Sequence, residues 1–229
     1  MENSLIKQAL IMAAGRGNRM RPLTNNLPKS MAPYNGDTLI GNSLNELHKC
    51  IEKVHITVGY KKAMLSEYLM TRGGVDTIIN TEGHGNAWWI RHSLMKNVNE
   101  PVLILTTDNI TKINIDFLSS EYQRLGDPVC MLVPVRPLPG ICGDYISHEN
   151  GKVKVLSRDI QQDTYCSGIQ VANPFRIHQY VGENENFNDL WNALLQMDLL
   201  YVSDIYPNKW FSIDTLENLK KANKINQNV

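Results

Sequence analysis

The sequence has no excess of charge of either sign, because lysine plus arginine and aspartate plus glutamate both number 23 in 229 residues. General nucleic-acid binders usually carry a basic excess, so this balance argues against nucleic acid as a partner. The sequence also lacks an unbroken run of about 18 apolar residues, the length that a membrane-spanning helix needs. We therefore expect a globular chain with neither nucleic acid nor a membrane as its partner.

Cysteine is scarce, and its spacing gives no sign of a metal site. Cys50, Cys130, Cys142 and Cys166 form no C-x-x-C pair, no histidine lies at zinc-ligand spacing from them, and the six histidines are scattered. Reduced, partly buried thiols are the expectation. Residues 1–8 are polar and do not resemble a secretion signal, which makes the cytoplasm the expected location.

The first half of the chain alternates strand-like and helix-like segments. Apolar runs predict strands at 8–14, 54–58, 75–80 and 102–106. Helical spacing predicts helices between them, at 39–53, 61–70 and 86–96. Strands separated by helices of about 10–15 residues imply parallel crossovers. The predicted fold class is α/β, a three-layer Rossmann-like mixed sheet that is mostly parallel.

Beyond residue 110 the pattern becomes less regular. Apolar runs predict strands at 129–135 and 168–171, and helical spacing predicts helices at 188–197 and 215–225. Within residues 145–157, Glu149-Asn150-Gly151 lies between two alternating segments and predicts a hairpin. The second half is therefore expected to be an antiparallel elaboration on a single domain that spans residues 1–229.

The most informative segment follows the first predicted strand. It reads Ala13-Ala14-Gly15-Arg16-Gly17-Asn18-Arg19-Met20-Arg21-Pro22-Leu23-Thr24 and continues to Pro28-Lys29. Glycines after a strand let backbone N–H groups approach an anion, and the following cations supply charge for a polyphosphate. Met20 lies where a dinucleotide-binding loop, G-x-G-x-x-G, has its third glycine, which argues against that kind of loop. The Gly-Lys-Ser/Thr tripeptide of a Walker A loop is absent, which argues against that kind as well. A tight turn with solvated arginines is the structural alternative.

From Gly15 to Lys29 the segment fits G-x-G-x-R-x-x-P-L-T-x-x-x-P-K at every specified position. It resembles the signature of the sugar-phosphate nucleotidyltransferases, the family of nucleotide-sugar pyrophosphorylases. The resemblance is to the short single-domain branch with heptose and muramate 1-phosphate nucleotidyltransferases and phosphocholine cytidylyltransferase. It implies a nucleotide-binding half over residues 1–110 and an acceptor-binding half over 111–229. It also implies that the loop binds the nucleotide through Ala13, Ala14, Gly15, Arg16 and Gly17, and that Arg19 and Lys29 are catalytic.

Two acidic residues are expected to hold Mg²⁺, because phosphoryl transfer needs a divalent ion and Mg²⁺ prefers carboxylate oxygens. Asp108 follows the strand predicted at 102–106, and ligands of open α/β sheets gather at the carboxyl ends of strands. The resemblance assigns the same residue to the metal and the nucleotide, although Thr107 replaces the family's glycine. Asp214 lies in Trp210-Phe211-Ser212-Ile213-Asp214-Thr215, which resembles a late family segment. For Asp108 the alternative role is a helix cap or a turn, and for Asp214 it is the cap of the last helix.

The resemblance also implies where the nucleobase and the acceptor bind. In Gly83-His84-Gly85-Asn86-Ala87-Trp88, Asn86 has the donor and acceptor needed to read a base edge, or it caps a helix. Gly143, Lys154, Arg158 and Gly168 match the acceptor-side motifs, with Arg158 in place of the family's lysine. Arginine can replace lysine in binding the acceptor phosphate, because it binds phosphate bidentately where lysine offers a point charge. The alternative for Arg158 is a solvated arginine in a hairpin, with no role in binding.

The resemblance predicts transfer of a nucleoside monophosphate from a nucleoside triphosphate to a sugar 1-phosphate, with release of pyrophosphate, for cell-surface glycan precursors. A cytidylyltransferase that uses a non-sugar acceptor such as phosphocholine or a phosphonate is one alternative. A catalytically silent, nucleotide-sensing relative is the other. The expected partners are the triphosphate and a phosphorylated small molecule, and the formation of a homo-oligomer stays open.

Overall fold

The computed structural model describes residues 4–139, 143–205 and 210–226. Its main feature is a nine-stranded mixed sheet, accompanied by two short two-stranded sheets. The strands are β1 (Gln8–Met12), β2 (Pro33–Tyr34), β3 (Asp37–Thr38), β4 (Lys53–Val58), β5 (Thr77–Asn80), β6 (Val102–Thr106), β7 (Asn109–Ile110), β8 (Cys130–Val135), β9 (Tyr145–Glu149), β10 (Lys152–Ser157), β11 (Tyr165–Ala172), β12 (Leu200–Val202) and β13 (Phe211–Ser212). The helices are α1 (Leu39–Leu47), α2 (Lys62–Arg72), α3 (Trp89–His92), α4 (Ile115–Arg124), α5 (Pro174–Tyr180), α6 (Phe187–Gln196) and α7 (Leu216–Asn226).

The large sheet has the strand order β5-β4-β1-β6-β11-β8-β12-β10-β9, and β9 also pairs with β11. The first four strands of this order are parallel, as the alternation of strands and helices predicts. Strand β11 runs antiparallel to both β6 and β8. The carboxyl ends of β1, β6 and β8 therefore lie at one edge of the sheet.

Helices cover both faces of this sheet, so the predicted three-layer α/β fold class is confirmed. Alternate side chains of a strand point to opposite faces, and in β1 Ala9 and Ile11 pack with α1, α2 and α4. Leu10 packs instead with α3, α5 and α6. Within the described ranges every helix is too short or too polar to cross a membrane.

The predicted hairpin is present as β9 and β10. Its turn residues Asn150 and Gly151 have φ angles of 49° and 78°, as a two-residue turn between twisted strands requires. One strand of the second half departs from the predicted antiparallel arrangement, because β12 pairs with β8 in parallel. Helices α5 and α6 connect β11 to β12, and β12 begins at the end of the sheet where β11 finishes, since Ala172 and Leu200 both pair with Cys130.

The helix predicted at residues 86–96 is wrong in its extent. The structure has the four-residue α3 and then a 3-10 turn, Leu94–Asn97. Ser93 separates them, because its hydroxyl donates to the carbonyl of Trp89 at 2.6 Å and accepts from the N–H of Met95 at 3.1 Å. A serine side chain that bonds to nearby backbone groups competes with continued helix.

The cysteines that the structure describes, Cys50, Cys130 and Cys166, are free thiols. Burial raises the pKa of all three, most strongly for Cys130 and Cys166. The thiolate forms are therefore disfavoured, and nucleophilic chemistry is not expected of them. Cys142 lies outside the described residues.

Candidate active site

The glycine-rich loop begins where β1 ends. Gly17 has a left-handed backbone with a φ of 61°, and a Cβ atom there would lie 2.8 Å from the Cβ of Lys29. Glycine is therefore needed both for the backbone conformation and for the close approach of Lys29. The hydroxyl of Thr24 donates a 2.9 Å hydrogen bond to the carbonyl of Gly17 and closes the loop.

Tyr60, at the end of the neighbouring β4, supports this loop. Its hydroxyl donates to the carbonyl of Thr24 at 2.9 Å, and its N–H donates to the carbonyl of Ala14 at 3.0 Å. The Arg16 guanidinium and the Lys61 ammonium lie 5.8 Å and 5.4 Å from the centre of its ring, within the range of cation–π attraction. Sequence reasoning misses Tyr60, whose only signal is an aromatic residue two positions after a buried strand.

Asp108 and Asp214 are brought together by pairing between two short strands. Strand β13 pairs with β7, and Ser212 lies opposite Asn109. The hydroxyl of Ser212 lies 3.1 Å from a carboxylate oxygen of Asp108 and 3.1 Å from one of Asp214. It has one proton, so it donates to one carboxylate at a time. The two predicted metal ligands therefore share one hydroxyl.

The alternative role of Asp214 as a helix cap is filled by its neighbour. Thr215 Oγ1 accepts a 3.1 Å hydrogen bond from the N–H of Asn218 at the start of α7. Glu217 pairs with Lys221 on the exposed side of that helix. Asp108 lies in the turn between β6 and β7, as its alternative role allows, but it does not cap a helix. Both carboxylates are therefore available to the site.

Lys29 and Arg19 face these carboxylates. The Lys29 Nζ atom lies 3.3 Å from Asp108 Oδ2 and 2.9 Å from Asp214 Oδ1. Arg19 reaches the same Oδ1 atom of Asp214 at 3.0 Å from a more exposed position, since 68% of its side chain is accessible against 14% for Lys29. The structure thus joins the two predicted catalytic cations to the two predicted metal ligands.

The ionisation of Asp108 follows from these contacts. Burial alone would raise the pKa of this carboxyl, but Lys29 and hydrogen bonds from Thr106 and Ser212 outweigh burial. They hold the pKa of Asp108 below its ordinary value of 3.8. Asp108 is consequently a carboxylate at neutral pH.

Asp108 and Asp214 are the residues that would hold Mg²⁺. In the part of the chain that the structure describes, no group of three or more His, Cys, Asp and Glu side chains is arranged to hold a metal ion. Mg²⁺ at phosphoryl-transfer sites is usually bound by one or two carboxylates, with water and substrate phosphates as the other ligands. Two carboxylates that converge on one cationic group fit that arrangement.

A cavity of about 260 Å³ lies beside Asp108. It extends from the start of the glycine-rich loop and Lys29 to the loop of residues 83–88 between β5 and α3. Its lining residues are Met12, Ala13, Ala14, Gly15, Lys29, Thr57, Thr81, His84, Gly85, Asn86, Thr106, Thr107 and Asp108. The predicted nucleotide-binding residues Ala13, Ala14, Gly15, Asn86 and Asp108 therefore meet at one cavity.

Asn86 has a structural contact as well as a place in this cavity. Its Oδ1 atom accepts a 2.9 Å hydrogen bond from the N–H of Phe187, the first residue of α6. The capping alternative therefore applies to a distant helix and not to α3. Beside it, the rings of His84 and Trp88 stack at 4.1 Å with an angle of 11° between their planes. Of these two rings, that of His84 lines the cavity.

The predicted acceptor-side glycines lie close to other side chains of the site. Gly168 has a φ of 84° at a bulge of β11, and a Cβ there would lie 3.1 Å from Asn109 Nδ2 and 3.3 Å from Thr106 Oγ1. A Cβ on Gly143 would overlap the ring of Tyr165. Both backbones therefore pack closely against side chains, Gly168 beside Thr106 and Asn109 and Gly143 against Tyr165.

The two predicted acceptor-side cations contact different partners. Arg158 lies just after β10, and its Nε donates to Asp144 Oδ1 at 2.9 Å. Lys154 lies 4.0 Å from Asp198, and a bulge after Val153 interrupts the regular alternation of β10. The structure therefore does not bring Lys154 and Arg158 to one pocket, and of the two only Arg158 contacts Asp144, the residue after the predicted Gly143.

Three aromatic side chains to which sequence reasoning gives no role lie between Gly143, which is predicted to bind the acceptor, and the acidic pair. The ring of buried Tyr165 meets that of Tyr145 edge-on at 6.0 Å and that of Trp210 at 5.7 Å. Trp210 Nε1 donates to the side-chain oxygen of Asn109, the residue after Asp108. Tyr145 and Trp210 are partly exposed. The aromatic group therefore begins next to the acidic pair.

Comparison with known proteins gives a consistent result. The model of the family described as "Nucleotidyl transferase" matches residues 8–139. The choline-phosphate cytidylyltransferase of Streptococcus pneumoniae is 39% identical over 236 residues, which cover 96% of this chain and 99% of that protein. The bifunctional protein GlmU of Methanococcus maripaludis is 29% identical over 110 residues.

The GlmU match covers 47% of this chain but only 26% of that protein, so the chain spans a small part of this relative. Among solved structures, a putative glucose-1-phosphate thymidylyltransferase from Bacillus anthracis superposes with a TM-score of 0.79 at 17% identity. The superposition covers 97% of this chain and 96% of the Bacillus anthracis chain. At this identity the likeness shows the shared fold.

Proposed function

The chain belongs to the nucleotidyl transferase family, and we propose that it transfers a cytidylyl group from CTP to phosphocholine, releasing pyrophosphate. The observation that carries the choice of acceptor is the aromatic group Tyr145, Tyr165 and Trp210 next to the acidic pair. The relative matched over nearly its whole length, a choline-phosphate cytidylyltransferase, supports the same choice.

The triphosphate is expected along the glycine-rich loop, with the base in the cavity near Asn86. Loop N–H groups and Arg16 would contact the phosphates, because backbone donors and guanidinium groups both complement phosphate oxygens. Arg16 is held on the ring of Tyr60, which limits the conformations that its guanidinium has to lose on binding.

The reaction is an in-line displacement at the α-phosphorus. An oxygen of the acceptor phosphate forms a bond to this phosphorus, and the bond to the oxygen bridging the α- and β-phosphates breaks. Pyrophosphate leaves with that bridging oxygen and its electron pair. Lys29, 14% exposed between the acids, would stabilise charge on the reacting phosphate, and Arg19 charge on the leaving group.

Asp108 and Asp214 would hold Mg²⁺ during this step. The ion supplies positive charge that screens the approaching phosphates from each other. Ser212 keeps the two carboxylates in place through its hydroxyl. A covalent enzyme intermediate is not needed, because the acceptor phosphate is itself the nucleophile.

The aromatic group supplies what a quaternary ammonium ion needs. Such a cation is attracted to the faces of tyrosine and tryptophan rings, and aromatic cages bind choline in this way. Tyr165 fixes the rings of Tyr145 and Trp210, both of which have exposed surface. The phosphate end of the same acceptor would lie between the cations Arg158 and Lys29.

Transfer to a sugar 1-phosphate is the second candidate. Gly168, with its left-handed backbone beside Asn109 and Thr106, is where the family resemblance has backbone groups facing a sugar. Both candidates share the nucleotide site and differ on the acceptor side.

A pyrophosphate-release assay would test the proposal. CTP, UTP, GTP, ATP and dTTP are each combined with phosphocholine, glucose 1-phosphate and N-acetylglucosamine 1-phosphate, with Mg²⁺ present. We expect the highest kcat/KM for CTP with phosphocholine. A higher value for a sugar 1-phosphate would favour the second candidate, and nucleotide binding without turnover of any pair would favour the silent alternative.

A variant separates the choline contact from general effects. Tyr145→Leu should raise the KM for phosphocholine about tenfold and leave the KM for CTP within twofold, since a desolvated cation–π contact contributes about 1–2 kcal/mol. Tyr180→Leu, on the exposed surface of α5, is the matched control and should change neither constant.

A further inference from the structure

The loop of residues 83–88, which lines the nucleotide cavity, is held from behind by the chain just before α6. We propose that Glu185 is a positioning residue for the nucleotide, acting through this loop; the inference rests on the proposed function. Glu185 does not itself line the cavity. Its effect on the substrate would therefore be indirect.

Three hydrogen bonds connect the two segments. The N–H of Gly85 donates to the carboxylate Oε2 of Glu185 at 2.7 Å. The N–H of Ala87 donates to the backbone carbonyl of Glu185 at 2.9 Å, and the N–H of Phe187 donates to Asn86 Oδ1 at 2.9 Å. Two backbone donors and one side-chain acceptor of the loop are thus used by a segment about a hundred residues later.

Gly85 shows how closely the segments approach. A Cβ atom at position 85 would overlap the carbonyl oxygen of Glu185, so a glycine is needed here for space. Since His84, Gly85 and Asn86 all line the cavity, a displacement of the Gly85 backbone would move the surface that receives the nucleotide. The carboxylate of Glu185 sets the position of that backbone.

The carboxylate of Glu185 is better placed to orient the loop of residues 83–88 than to stabilise the whole fold. Its side chain is 53% exposed, and exposed contacts add little to the free energy of unfolding. Its Oε1 atom lies 3.8 Å from His84 Nδ1, and His84 stacks on Trp88. One carboxylate therefore contacts both the backbone and a ring of the base-side loop.

Glu183 provides an internal control on the same segment. Its carboxylate contacts His92 at 3.1 Å and Arg91 at 3.8 Å and is 75% exposed. It reaches α3 and not the loop that lines the cavity. Replacing Glu183 removes a similar surface charge while leaving the Gly85 contact in place.

Direct binding of CTP in the presence of Mg²⁺ but without acceptor, measured by calorimetry, tests the proposal. Losing one hydrogen bond of this kind should weaken binding about three- to tenfold. We expect this increase in Kd for Glu185→Ala and for Glu185→Ser, whose side chain is too short to reach Gly85. Glu185→Gln retains an acceptor oxygen and should stay within twofold of wild type, as should Glu183→Ala.

Steady-state kinetics provide the second measurement. For Glu185→Ala the KM for CTP should rise, with kcat and the KM for phosphocholine within twofold and the melting temperature nearly unchanged. An unchanged Kd for both Glu185→Ala and Glu185→Ser would overturn the proposal. So would an equal loss in Glu183→Ala, or losses in both KM values together with a lower melting temperature, which would indicate a general structural role.

Wild-type binding separates this inference from the proposed function. If wild type prefers another triphosphate, the proposed function fails, and the same variants are measured with the preferred nucleotide. If wild type binds no nucleotide, both fail. If wild type binds CTP and the Glu185 variants bind it equally well, only the positioning role fails.

Discussion

The Nζ atom of Lys29 lies 2.9 Å from Oδ1 of Asp214, which is 185 positions further along the chain. Packing explains the contact. A buried apolar cluster joins Met20, Ala32 and Leu39 to Ile213 and Leu219. Because burying each large apolar side chain contributes about 1.5–3 kcal/mol, this cluster anchors β13 and α7 beside the glycine-rich loop.

The two cations should be needed for turnover to different degrees. Lys29→Ala is expected to lower kcat about 10²–10³-fold, as removal of a preorganised group that stabilises developing charge does. Arg19→Ala should have a smaller effect, because its more exposed charge is screened by water. Arg21→Ala, an exposed arginine of the same loop, is the matched control. Activity of Lys29→Ala and Arg19→Ala within a few-fold of wild type would remove both from the catalytic site.

The acidic pair should determine the Mg²⁺ requirement. Asp108→Asn and Asp214→Asn are each expected to raise the Mg²⁺ concentration for half-maximal rate and to lower kcat about a hundredfold. Titration of the rate with Mg²⁺ measures both effects, and Glu217→Gln on exposed α7 is the control. If Asp214→Asn lowers only the melting temperature, Asp214 has a structural role.

Arg158 should affect the acceptor and not the nucleotide. Arg158→Ala is expected to lower kcat/KM for the acceptor about ten- to a hundredfold, the loss of a charge-assisted phosphate contact. The acceptor is varied at saturating triphosphate. Lys154→Ala should have less effect, because Lys154 contacts Asp198 and not Asp144. An unchanged acceptor kcat/KM in Arg158→Ala would place the phosphate site elsewhere.

Glu121 should make stability depend on pH. Hydrogen bonds from Arg124, both at 2.6 Å, are the main reason that the pKa of Glu121 lies below its ordinary value of 4.5, and they outweigh burial, which raises it. A carboxyl whose pKa is lower in the folded state stabilises the protein above the ordinary pKa. That contribution is lost as the pH falls through the folded value.

Glu121→Gln should therefore lower stability by about 1.5–3 kcal/mol at pH 7. The difference in melting temperature from wild type should shrink as the pH falls below 4.5. Thermal melts between pH 3 and pH 7 check this, with Glu217→Gln as an exposed control. A difference that stays constant with pH would mean that the carboxylate charge is not the cause.

Most features that depend on residues close together in the sequence were predictable. The turn at Asn150-Gly151 follows from the backbone angles that these residues tolerate, and β1 and β6 follow from buried apolar runs. Helices α4 and α5 were not predicted, although Asn114 and Asn173 both cap them in the usual way. Turns, buried strands and helix caps all follow from hydrogen bonds and side-chain shapes within a few residues of chain.

The sequence by itself determined the fold class, because the alternation of strands and helices is visible in local apolar patterns. It also determined the residue types of the glycine-rich loop, because its glycines and cations lie within a single stretch of chain. Tertiary structure alone decided which distant groups meet. Ser212 joins Asp108 to Asp214, Asn86 caps α6, and Lys154 is separated from Arg158. These contacts depend on how the sheet and the apolar clusters pack, and spacing along the chain carries no information about distances across it.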